Sequence, residues 1–383
     1  MFRRTMPAFL VLSLALVAAA ATTVVVNGKT VAVPVVKQGG KAFVDIAALM
    51  KLLGGTATYD PKTDKLVITA AGQPAPAAAG GSTGSVMLPG DNGELGKVYA
   101  MGKQSPLYFS LKSAEFTTGR VVIGEALYAP TAEQKLLVLH FTVQNPQKTD
   151  VFVRWDSLTM MVVDAMNVNH EMATGWGDKE NKHDVGLSLK PAQTLAAYCA
   201  FYVPAKGGVP KLIVQAEEGA PVLRYDLRGK VTPLKAPFAD PADQQGLTAR
   251  EAVPADMGTA YPYQTLDITV EKVEYAAGPL GEKEAGDGQR FFMATILLKN
   301  AGPTQSYIRW DSLTPLLTTT DGEECHYEDM LLATANRSYG QHLAAGKEMR
   351  LRLLFSIAAD ATAATLALKE GEGRTYVYTL PRP

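Results

Sequence analysis

The chain has 383 residues, 47% hydrophobic and 20% charged, which is enough for about two or three domains with packed cores. Its 37 lysines and arginines balance 38 aspartates and glutamates, and no run of like charges breaks that balance locally. This excludes the electrostatic footprint of a protein that binds nucleic acid or an anionic membrane surface.

Residues 1–21 read as a signal peptide. Arg3 and Arg4 form a basic start, Ala8 to Ala20 an apolar run, and Ala19-Ala20-Ala21 the small residues of a cleavage site before Thr22. The run is shorter than the ~20 residues that a spanning helix needs. Paired arginines hint at the twin-arginine route, but Thr5-Met6 fits that pattern poorly. No cysteine follows the run, no second long apolar stretch occurs, and the chain ends Leu380-Pro381-Arg382-Pro383 without a sorting tail. The expectation is an exported protein (secreted, periplasmic or envelope-associated) with no integral membrane span after cleavage. Its two cysteines, Cys199 and Cys325, fall in different domains at non-equivalent positions, so two buried, unpaired thiols are expected.

Residues 22–70 form the first module. Val24-Val25-Val26 runs into the turn pair Asn27-Gly28, and a second strand spans Thr30 to Val36. From Phe43 to Leu53 apolar residues fall at helical spacing, ended by Gly54-Gly55. Strands at Thr56 to Tyr59 and Lys65 to Thr69 flank the turn Asp60-Pro61-Lys62-Thr63-Asp64, giving a β-hairpin, a helix and a β-hairpin. On the Asn27-Gly28 turn, the helix ending at Gly54 and the Asp60 to Lys65 hairpin, residues 24–69 resemble the copper amine oxidase N-terminal-like (stalk) module of exported bacterial proteins. The resemblance implies an appendage rather than an oxidase domain. Where that family often carries a Pro-Leu-Arg-like stretch this chain reads Val44-Asp45-Ile46, so that arginine's role does not transfer. No Asn-Tyr-Asp/Glu quinone precursor and no His-x-His copper pair occurs, and no cofactor is implied.

Residues 71–97 are read as a flexible linker, since 71–85 contain only Ala, Gly, Pro, Ser, Thr and Gln. Beyond it the chain repeats itself. Arg154-Trp155-Asp156-Ser157-Leu158-Thr159 recurs as Arg309-Trp310-Asp311-Ser312-Leu313-Thr314. The register extends from Leu139–Asn145 onto Ala294–Asn300, from Leu195–Val203 onto Met349–Ile357, from Tyr225–Leu227 onto Tyr378–Leu380, and from Met101-Gly102 onto Met257-Gly258. Two tandem immunoglobulin-like β-sandwiches are expected at 98–235 and 254–383, joined by 236–253, so the whole chain is mainly β. Lys135 to Gln144 alternates around Leu137, Leu139, Phe141 and Val143 as a half-buried strand does, and frequent Gly and Pro supply the turns. The pattern of Asn300, Asp311, Asp321-Gly322 and Gly346 resembles exported modules with the telokin-like fold, which implies adhesive or scaffolding units; the first copy departs from it at Asp164-Ala165 and Ala192.

Three features are candidates for a site. In the repeated turn, Arg154, Asp156, Arg309 and Asp311 with their tryptophans are either ligand contacts or a structural signature in which Trp fills the core while Arg and Asp pair. Trp176, between glycines in the polar loop Gly175–Asp184 that takes this form only in the first copy (its counterpart, Ala333 to Tyr339, offers Asn336 and Arg337), is either exposed for recognition or tucked against its own sandwich. Glu324, His326 and Glu328 share a strand face as weak metal candidates, with no fourth ligand in view. No nucleophile elbow, phosphate loop or activated cysteine is present. The functional expectation is a non-catalytic binding or scaffolding protein whose partner is a cell-envelope polymer or another exported protein. The alternative is a metal-dependent protein or hydrolase using the His326 region.

Overall fold

The computed structural model describes residues 90–382 apart from Gln104, and six short strands within 24–69. Those strands form three hairpins: Val24–Val26 with Lys29–Val31, Val35–Gln38 with Lys41–Val44, and Thr56–Asp60 with Lys65–Thr69. The single strand expected at Thr30 to Val36 is thus two strands with different partners. The sequence between them holds Pro34, which lacks the N–H that a ladder requires. The helix expected over 43–53 does not begin at Phe43, since Phe43 and Val44 belong to the strand Lys41–Val44; its remainder, the signal peptide and residues 71–89 lie outside the described residues.

Residues 86–383 make one unit, and its described residues are mainly β with no helix. In the first half, one sheet runs in the order Gly177–Asp178, Thr194–Pro204, Gln134–Gln144, Leu107–Thr117, Val231–Thr232. The facing sheet runs Asn169–Glu171, Thr159–Val163, Lys211–Gln215, Val222–Asp226, Gly90–Gly93. Inward side chains of both meet in one core: Phe109, Leu139 and Phe141 from the first, Met160, Val162, Leu212 and Tyr225 from the second. That is a β-sandwich. Leu137, Leu139, Phe141 and Val143 point inward and are fully buried, as their alternation predicts. Their outward neighbours Leu136 and Val138 are buried too, because a hairpin (Val121–Ile123 with Ala126–Tyr128) lies over that face.

The second half repeats this plan around Gln289–Asn300, with Phe292, Ala294, Ile296 and Leu298 inward and Phe291 and Met293 covered on the outer face. One strand, Glu324–Leu332, pairs first with Thr314–Thr319 and then with Glu348–Ala358, so it passes from one layer to the other. A register shift between Tyr327 and Asp329 marks the bulge where it bends.

The first sandwich starts earlier than residue 98. Gly90–Gly93 runs parallel to Val222–Tyr225, just as Ala252–Ala255 runs parallel to Thr375–Tyr378. Gly96 (φ 80°) donates its N–H to Leu111, and Gly258 (φ 79°) donates to Val270, so the structural partner of Met257-Gly258 is Leu95-Gly96 rather than Met101-Gly102. The segment 236–253 is packed, not loose. Both Asp243 carboxylate oxygens accept backbone N–H bonds from Gln245, Leu247 and Thr248, and Ala249 enters the first core.

Two arginines tie the halves together. Arg374, 4% exposed, donates to the carbonyls of Thr131, Ala132 and Gln134 in the first half and of Arg250 in the joining segment. Burial pulls its pKa down to about 10. Arg120 reaches the other way, to the carbonyls of Tyr263, Gln264 and Leu266 and the Asp267 carboxylate.

Candidate functional site

The repeated Arg-Trp-Asp-Ser segment closes a short strand that stands apart from the main sheets in both halves. Among the described residues, Val151–Arg154 pairs only with Gly186–Leu189, and Ser306–Arg309 only with Gly340–Leu343. Alternation sends Val153 and Ile308 into the cores and leaves Phe152 and Tyr307 outside. The strand then ends at the arginine. Ser157 donates its N–H to the Arg154 carbonyl (3.0 Å) while its Oγ accepts the Arg154 N–H (2.9 Å). Ser312 does the same with Arg309, at 3.0 Å each. This four-residue turn places Trp and Asp at its tip.

The tip is solvent-facing. Trp155 is 51% and Trp310 55% exposed, beside exposed Phe152 and Tyr307. Arg154 grips Asp156 with two bonds, Nε to Oδ1 at 2.6 Å and a terminal nitrogen to Oδ2 at 2.7 Å, and Arg309 Nε lies 2.5 Å from Asp311 Oδ1. Beneath Trp155 lies Gly175, where an added Cβ would come within 3.0 Å of the Trp155 Cβ. In the second half Tyr327 donates its hydroxyl to the Trp310 carbonyl at 3.0 Å. The arginine–aspartate pairs form as the sequence suggests, but the tryptophans do not fill the cores. Alternation alone puts Trp155 with Val151 and Val153; the serine-closed turn breaks it one residue earlier. Phe152 and Tyr307 are not among the residues singled out from the sequence, although the same alternation places them outward with Arg154 and Arg309.

Of its two readings, exposed for recognition or tucked against its own sandwich, Trp176 takes the second. It is fully buried, packed edge-on against Phe141 at 5.0 Å between ring centroids, and its indole N–H makes no hydrogen bond. It is a core residue, carried inward because Val185 N–H bonds its carbonyl and Gly177 enters the sheet opposite Tyr198. A Cβ at Gly177 would sit 2.6 Å from the Tyr198 ring. The flanking glycines serve close packing, not exposure.

Glu324, His326 and Glu328 do not converge. The His326 side chain is 77% exposed and 4.0 Å from Glu328, which the bulge turns toward the Ser356 hydroxyl (2.6 Å). No group of three or more His, Cys, Asp or Glu able to hold a metal occurs among the described residues. Both cysteines are unpaired. Cys199 is buried with its Sγ 3.8 Å from Met160 Sδ, and burial pushes its thiol far above the usual range; Cys325 is half-buried. Asp164 and His170, bonded at 2.9 Å, hold the turn that stands for Asp321-Gly322 in the other half. Burial opposes the Asp164 charge, but the His170 bond and the Val168 and Met166 amides outweigh it and keep the carboxyl below its ordinary value.

No family model and no curated protein matches the chain. Among solved structures it is similar to an uncharacterized β-sandwich protein from Clostridium difficile, with 12% identity over 37% of this chain and 97% of that one and a TM-score of 0.30. It is also similar to the secreted protein MPT63 from Mycobacterium tuberculosis, with 17% identity over 36% of this chain and 97% of that one and a TM-score of 0.26. No helix among the described residues is long and apolar enough to cross a membrane.

Proposed function

We propose that the chain is an exported, non-catalytic binding or scaffolding protein. Its two immunoglobulin-like sandwiches engage a cell-envelope polymer or another exported protein through their matched Arg-Trp-Asp-Ser turns. The stalk-like module at residues 22–70 serves as the attachment end. One observation carries the reading: both halves hold an exposed tryptophan, an exposed aromatic neighbour and a paired arginine on the same rigid turn. Exposed aromatic and arginine side chains are the common anchors of interfaces, and a turn fixed by its own hydrogen bonds loses little entropy on binding. Two such faces on one chain suit a partner that itself repeats, because the second contact is then intramolecular.

The test is co-sedimentation of the chain lacking residues 1–21 with purified cell-envelope material. The wild type pellets saturably, Trp155→Ala or Trp310→Ala alone weakens binding about tenfold, and the double variant stays in the supernatant. A double variant that pellets like the wild type removes the turns from the account. A wild type that does not pellet removes the envelope.

A further inference from the structure

The outer face of the larger sheet in the first half carries a cleft of about 740 Å³, within the roughly 300–1,000 Å³ range of small-molecule sites. Its floor spans three adjacent strands. Glu115 stands opposite Val138, and His140 opposite Tyr198. His140 Nε2 is 3.0 Å from Glu115 Oε1, and the Tyr198 hydroxyl donates to the Val122 carbonyl of the covering hairpin at 2.7 Å, while His140 Nδ1 is buried without a hydrogen-bond partner among the described residues. Apolar walls come from three parts of the chain: Val121 of the covering hairpin, Phe238 of the joining segment and Pro262 of the second half. A cleft assembled from both halves and their connection is a usual place for a ligand.

The rim is cationic. Lys179, Lys182 and Lys235 line it, and none of the three forms an ion pair among the described residues. Arg120 also borders the cleft but is committed to Asp267, and the one lining carboxylate, Glu115, is occupied by His140. Lys179 and Lys182 sit on the loop that takes this form only in the first half, and backbone bonds fix their places. Lys179 N–H donates to the Ala196 carbonyl (3.0 Å), Lys182 N–H to Asp178 (2.8 Å), and Gly124 N–H to the Lys182 carbonyl (2.7 Å). The second half has Thr295 at the position of His140, and Asn336 and Arg337 in the matching loop.

We infer that this cleft binds one amphiphilic anion per chain: a carboxylate, phosphate or sulfonate held by the rim lysines, with an apolar body lying on Val121, Val138 and Phe238. The three unpaired ammonium groups select the charge, and the walls select the body. The loop around Trp176 therefore has two roles, its tryptophan in the core and its lysines on the rim.

The probe is 8-anilinonaphthalene-1-sulfonate, titrated by fluorescence and calorimetry, with decanoate as competitor. The expected result is saturation at one probe per chain, displacement by decanoate, and none by inorganic phosphate at equal concentration. Lys179→Glu with Lys182→Glu, both exposed positions, weakens binding about tenfold or more. Thr232→Trp, on the exposed strand end opposite Glu115, fills the cleft and abolishes binding. Circular dichroism checks that each variant is folded. Trp155→Ala with Trp310→Ala retains full binding, which separates this inference from the envelope-binding turns. Non-saturating binding, displacement by phosphate alone, or undiminished binding in either cleft variant overturns it.

Discussion

The two sandwiches agree where the backbone must be held still and differ where a neighbouring segment covers them. In both, a buried asparagine locks the turn after the central strand. Asn145 donates to Thr149 and Leu189 carbonyls and accepts the Gln147 N–H, and Asn300 repeats this with Thr304, Leu343 and Gly302. In both, a cation lies over an aromatic ring at the far end of that strand: Lys135 over Phe116 at 4.6 Å, and Arg290 over Tyr275 at 4.1 Å. The surroundings of that cation then diverge. Lys135 is fully buried, its three ammonium N–H groups shared among the carbonyls of Pro204, Ala205, Gly207 and Leu247, the last supplied by the joining segment. Arg290 stays half-exposed and, among the described residues, donates to the Ala361 carbonyl at 2.7 Å. The same strand position is a half-exposed cation in one half and an interior clamp in the other, where the joining segment folds back over it and supplies the Leu247 carbonyl.

The first way to sharpen this comparison is Trp176→Ala. The side chain fills a position in the first core that has no water-facing alternative, so the substitution lowers stability by about 3–5 kcal/mol, read from urea unfolding. A loss below about 1 kcal/mol places the indole outside the core. Lys135→Met comes next, with an expected loss of about 2–3 kcal/mol at neutral pH from the carbonyls left without their donor. Its pH dependence is diagnostic. Burial first, and then the Arg374 charge, lower the Lys135 pKa from 10.5 to about 8, against the opposing charge of Asp243. The unfolded lysine therefore keeps its proton between pH 8 and pH 10.5 while the folded one has released it. The unfolded state binds more protons there, so wild-type stability rises with pH across that window relative to the variant, by on the order of 2 kcal/mol. A constant difference between the two proteins from pH 7 to pH 10 contradicts the buried clamp.

Much of this architecture is legible in the sequence because period-2 alternation and the internal repeat are local signals. Leu137, Leu139, Phe141 and Val143 can be assigned inward from their spacing alone, and Asn145 and Asn300 mark the turn after that strand. The features that escape depend on contacts distant in sequence. Burial of Leu136 and Val138 requires the covering hairpin, and burial of Lys135 requires Leu247, more than a hundred positions away. The tryptophans are hard to place for a different reason. Alternation extends one residue too far into Trp155 and Trp310, past a serine that closes a turn, and the glycines around Trp176 suggest looseness where they permit close packing. Parallel strand Gly90–Gly93 has almost no apolar signal, so composition cannot separate it from a linker.

The central claim is that the repeated tryptophans face solvent for a partner while the unrepeated one holds the fold. Three variants, each keeping one tryptophan and replacing the other two with Phe, allow acrylamide quenching to read each indole separately. The account predicts strong quenching and red-shifted emission for Trp155 alone and Trp310 alone, and blue-shifted, protected emission for Trp176 alone. Protection of Trp155 and Trp310 in the folded chain, or free quenching of Trp176, contradicts it.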